Sequence, residues 1–72
     1  MLTNDENPVD LTTRELDILR LIAAEKTDKM IAHSLEISER TVRYHLENIN
    51  TKLGTMTRLG AVAKAIRLNL IS

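Results

Sequence analysis

Apolar residues along this 72-residue chain recur at helical spacing from about residue 11 to the end, and four stretches stand out. In the first, Ile18, Leu19 and Ile22 share one face, with Glu15 at its edge. Thr12-Thr13-Arg14-Glu15 forms a capping box in front of it, and Leu11 is placed to pack against Leu16 as a hydrophobic staple. This helix is predicted to run to about Glu25. In the second, Thr27 is an N-cap and Met30, Ile31 and Leu35 form the buried side. A break at residues 35–38 follows, closed by Ser38 as the next cap. In the third, Val42, Leu46, Ile49 and Leu53 make one continuous stripe. Gly54 ends it as a C′ glycine. In the fourth, Thr57 caps a helix from Arg58 to about Leu68, with Asn69 as a left-handed terminator. Residues 1–10 lack periodicity, contain Pro8 and several acids, and read as a linker or frayed tail, leaving residues 11–72 as one domain. The fold class is therefore all-α, a compact four-helix bundle.

Composition agrees. With no Phe, no Trp and one Tyr, the core must be built from Leu, Ile, Val, Met and Ala, which suits helices better than a sheet. The absence of cysteine excludes a disulfide framework and a zinc finger. No apolar run approaches a signal h-region or a membrane span, so a cytoplasmic location is expected. Net charge is zero, but its distribution is uneven. Residues 1–17 hold five acids and one base, and residues 18–72 hold nine bases and five acids. That small positive excess suits modest affinity for nucleic acid from one copy, so specific binding calls for a dimer or a larger parent protein.

The third helix carries the chemistry. At 100° per residue, Arg40, Tyr44, Glu47 and Thr51 lie opposite its apolar stripe, with Arg43 and Asn48 flanking. A helix held by its back and presenting long hydrogen-bonding side chains in front, after a short helix and a tight break, is the second helix of a helix-turn-helix. On the fourth helix Ala61, Val62, Ala65, Ile66 and Leu68 cover an arc wider than one core contact needs. Either the whole arc packs on the first helix, or part of it meets a second copy about a two-fold axis, with Ala61, Ala65 and Leu68 at the contact. His33 and His45 are twelve apart with no HExxH pattern, which argues against a metal. No Gly-rich phosphate loop or substrate cleft is indicated, so neither an enzyme nor a small-molecule ligand or cofactor is expected.

The segments LTTRE, KTDKMIAHSLEISERTVRYHLENINTKLG and TRLGAVAKAIRLNLIS together resemble the LuxR/GerE/NarL-type DNA-binding domain of bacterial transcription factors, over about residues 11–71. The matching elements are the LT-x-RE start, Lys29 to Ala32, Ser38 with Thr41-Val42, His45, Ile49, Lys52-Leu53-Gly54 and the Arg58…Ala61 start of the last helix. The resemblance implies a third helix that reads double-stranded DNA and a fourth that often dimerises. It also implies a place behind an acyl-homoserine-lactone-binding or phosphorylated receiver domain, although some members are the domain alone. Glu25-Lys26-Thr27 and the closing Leu-Ile are similar to quorum-sensing regulators of the family. It assigns base contact to the positions of Arg43, Tyr44 and Glu47. Thr27, Lys29, Ser38, Arg40 and Thr41, at the starts of the second and third helices, are assigned to phosphates, where free N–H groups favour anions. Homodimerisation on DNA and contact with RNA polymerase are the partners this implies. The chain departs from the family pattern at Glu25 and Glu36, where glycine is preferred, so those two turns are expected to take another shape. It departs also at Gly60 and at Glu47, a position often basic. The alternatives are a promoter-binding domain like region 4 of a sigma factor, which normally ends near the reading helix, and a helical protein-interaction module.

Overall fold

A computed structural model describes residues 9–72. Four helices follow one another: α1 (Thr13–Ala23), α2 (Asp28–Leu35), α3 (Glu39–Leu53) and α4 (Arg58–Arg67), with no strand among the described residues. Each start is set by one hydroxyl. Thr12, Thr27, Ser38 and Thr57 accept from the N–H three residues on, at 2.9–3.1 Å. At α1 the box is complete, because the Thr12 N–H also donates to Glu15 Oε1 at 2.9 Å.

The four ends are closed alike. A residue with left-handed backbone follows each helix, and the N–H after it donates to the carbonyl five residues back. Lys26 bonds Leu21, Ile37 bonds Ala32, Thr55 bonds Asn50 and Leu70 bonds Ala65, at 2.8–3.1 Å. The left-handed residues are Glu25 (φ 65°), Glu36 (58°), Gly54 (71°) and Asn69 (61°). The expectation that Glu25 and Glu36 would reshape their turns is thus corrected. Both keep the conformation glycine favours, because the closure satisfies carbonyls that would otherwise be left open. α1 stops at Ala23, two residues earlier than the apolar spacing predicted.

The interior is one aliphatic cluster. Ile18, Leu19 and Ile22 of α1, Ile31 and Ala32 of α2, Val42, Ile49 and Leu53 of α3, and Ala61 and Ala65 of α4 are buried, with Leu11 and Ile71 closing its ends. Val9 packs against it, while residues 1–8 of the expected tail lie outside the described residues. Three assignments change. Met30 is exposed and Ala32 takes its place in the core, and Leu35 and Leu46 are only half-buried. Glu15 is the one buried charged residue described. Lys52 Nζ of α3 donates to its Oε1 at 2.8 Å and reaches the Asp10 carbonyl at 3.4 Å. Burial raises the Glu15 carboxyl, but the Lys52 hydrogen bond and charge and the Thr12 N–H outweigh it, leaving the group below its usual range.

Candidate nucleic-acid interface

α3 is fixed along its back and free along its front. Val42 and Ile49 are fully enclosed, and Leu53 nearly so. These residues lie on one side at helical spacing, so the opposite side of the same turns must face solvent. Arg40, Arg43, Tyr44 and Glu47 are all exposed there, and together they line one shallow polar depression. Among the described residues no ion pair engages any of the four. Two guanidinium forks, a phenol and a carboxylate are therefore presented without an ion-pair partner along about two turns of a rigid helix.

The starts of α2 and α3 each carry a capping hydroxyl. Thr27 Oγ is held by the Met30 N–H, and Lys29 next to it is exposed. Ser38 Oγ accepts from the Thr41 N–H at 3.0 Å and donates to Thr41 Oγ at 2.9 Å, so the two hydroxyls are locked together. Thr41 is half-buried, whereas Ser38 and Arg40 are exposed. The cap consumes one N–H at each start and leaves the N–H groups before it for another acceptor. His33 is exposed on α2, and His45 is half-buried with its ring 6.0 Å from that of Tyr44.

The α4 assignment needs correction. Ala61 and Ala65 have no exposed surface, and Leu68 is half-buried against the same core. Their small side chains let α4 approach α1 and α3 of its own chain, so a second copy cannot reach the two alanines. The apolar residues that do face outward are Leu59, 77% exposed, and Ile66, 45% exposed, with Val62 half-buried and Ala63 exposed between them. Residues 59, 62, 63 and 66 have the 3-1-3 spacing of a second stripe, about 130° around the helix from the buried one. That spacing is visible in the sequence. In the sequence alone the two stripes merge into one wide arc. The Asp28–Arg58 ion pair, between the first residues of α2 and α4, was also not anticipated. It joins residues 30 apart and has no local signature.

Comparison with known proteins places this geometry. Residues 9–65 match the model of the family described as bacterial regulatory proteins, luxR family. The spore germination protein GerE of Bacillus subtilis is 45% identical over 58 residues, covering 81% of this chain and 78% of GerE. A nitrate/nitrite response regulator protein homolog of Haemophilus influenzae is 45% identical over 60 residues, covering 82% of this chain but 29% of that longer protein. A solved structure of the transcription factor GerE superposes with a TM-score of 0.84 at 38% identity, covering 92% of this chain and 97% of GerE. These matches set aside the sigma-factor alternative. The chain belongs to the luxR family of bacterial regulatory proteins, and it is the DNA-binding helix-turn-helix domain of a transcriptional regulator, not an enzyme.

Proposed function

We propose that residues 11–72 bind a specific operator with α3 in the major groove. Arg43, Tyr44 and Glu47 read bases, and Thr27, Lys29, Ser38, Arg40 and Thr41 hold phosphates. The observation that carries this reading is the set of four polar side chains on the exposed face of a helix whose other face is locked into the core. Arg43 suits guanine, whose O6 and N7 match its planar fork. Glu47 is repelled by phosphate and accepts from the cytosine N4 amine, so it discriminates among bases without adding to general affinity. Tyr44 meets a thymine methyl or bonds a phosphate.

Two copies act together on a two-fold site, joined through Leu59, Val62, Ala63 and Ile66 of α4. One domain with a small positive excess supplies little phosphate binding, and a closed two-fold pair doubles it. The domain works in the cytoplasm beside RNA polymerase as the DNA-binding end of a regulator.

Duplexes selected by the protein from a random library provide the test. Arg43→Ala should weaken binding to the selected duplex by about 1–3 kcal/mol, relax preference at one base pair and leave binding to random duplex nearly unchanged. An equal loss on both duplexes would reduce Arg43 to a phosphate contact.

A further inference from the structure

α2 and α4 do not pack on one another. α2 lies on α3 and α1, and α4 lies on α1 and α3. They meet through a single polar link where both helices begin. Arg58, the first residue of α4, donates from Nη2 to Oδ1 of Asp28, the first residue of α2. Both side chains keep part of their surface in solvent, 39% for Arg58 and 22% for Asp28, so the pair lies at the rim of the domain and not in its core.

Asp28 stands between Thr27 and Lys29, two residues assigned above to the DNA backbone. In the free domain a carboxylate at this position is favourable, because it lies at the positive end of the α2 dipole. A DNA phosphate seeks the same positive end. The two anions then compete, and an uncompensated Asp28 would oppose the contact its neighbours make. The Arg58 guanidinium lies against that carboxylate on its α4 side and balances its charge.

We propose that Arg58 is a positioning residue for DNA binding that acts through Asp28, keeping the start of α2 open to a DNA phosphate. This rests on the assignment of Thr27 and Lys29 to phosphate. It also gives the pair a role that is independent of base sequence, because phosphates are the same on every duplex.

A double-mutant cycle tests it. Arg58→Gln, Arg58→Lys, Asp28→Asn and the double variant Asp28→Asn/Arg58→Gln are titrated with a selected duplex and a random duplex at two salt concentrations. Melting by circular dichroism confirms that each is folded at the assay temperature. Arg58→Gln should weaken both duplexes by the same factor, roughly three- to tenfold at low salt and less at high salt, as a screened unit-charge repulsion requires. Asp28→Asn should bind at least as well as the parent, Arg58→Lys should bind like the parent, and the double variant should recover the affinity of Asp28→Asn. If the double variant stays as weak as Arg58→Gln, Arg58 touches DNA itself and the proposal fails. If Arg58→Gln binds like the parent, the pair is only a strut and the proposal fails again. Lys29→Ala separates the two levels. No loss there removes the phosphate assignment and this inference with it, while a loss there together with an additive cycle removes this inference alone.

Discussion

At residue 36 a glutamate holds a backbone conformation that side chains resist, with φ at 58°. The Cβ of a left-handed residue crowds its own carbonyl, at about 1–2 kcal/mol. The Ile37 N–H to Ala32 carbonyl bond and the burial of Ile31 and Ala32 behind it hold the turn in place. Glycine would remove the crowding and would cost about 0.4–1 kcal/mol through the freer unfolded chain. The first effect is the larger, so Glu36→Gly should raise unfolding free energy by roughly 0.5–1 kcal/mol, read by urea denaturation. A fall in stability would show that the Glu36 side chain contributes something its exposure does not reveal. The same residue shows why helix ends were less legible than helix starts. A start is announced by a hydroxyl three residues before the N–H it caps, as at Thr12, Thr27, Ser38 and Thr57. An end at Glu25 or Glu36 contradicts the local preference of the residue occupying it, and only the closed turn explains it.

Helix α1 is tied to α3 by the Glu15–Lys52 bridge, which sits where the capping box and the end of α3 meet. The side chain of Glu15 is 5% exposed and that of Lys52 35%, so the bridge is screened on one side only. Because the folded Glu15 carboxyl lies below its ordinary value, the unfolded chain takes up the proton first as pH falls. The stability Glu15 contributes is therefore complete above about pH 4.5, its ordinary value, and is lost as pH falls through the lower folded value. Glu15→Gln should lower stability near neutral pH by about 1–2 kcal/mol, through the weakened cap and the unpaired Lys52, and should flatten the acid limb of the stability curve. Melting temperature measured from neutral pH down to pH 3 checks both. An unchanged slope below pH 4.5 would assign acid sensitivity to another carboxylate. The sequence placed Glu15 at the edge of an apolar face but could not show that Lys52 comes over it, since nothing in either helix refers to a residue 37 positions away.

On the scale of the whole molecule, one of the two apolar stripes on α4 holds the domain together, and the other is the contact proposed for a second copy. Composition cannot settle which is which, because Ala61, Ala65 and Leu68 are no more apolar than Leu59, Val62, Ala63 and Ile66. Packing settles the first half. Ala61 and Ala65 are fully buried where α4 meets α1 and α3, whereas Leu59 and Ile66 are turned outward. A glutamate at 65 would place a charge inside an aliphatic core with no partner, at a cost comparable with the total stability of so small a domain. Ala65→Glu should therefore lose helical circular dichroism and all DNA binding together. A glutamate at 59 meets water in the single chain and an apolar neighbour only in the proposed pair. Leu59→Glu should melt like the parent and bind one half-site with unchanged affinity, yet fill two half-sites independently. In the parent, binding one half-site should raise affinity for the other, because the duplex holds the two copies close enough for a small contact to act. Titrating the two variants against duplexes carrying one and two half-sites reads the difference. If Leu59→Glu remains folded and still fills the two half-sites cooperatively, the outward stripe of α4 is not where the copies meet.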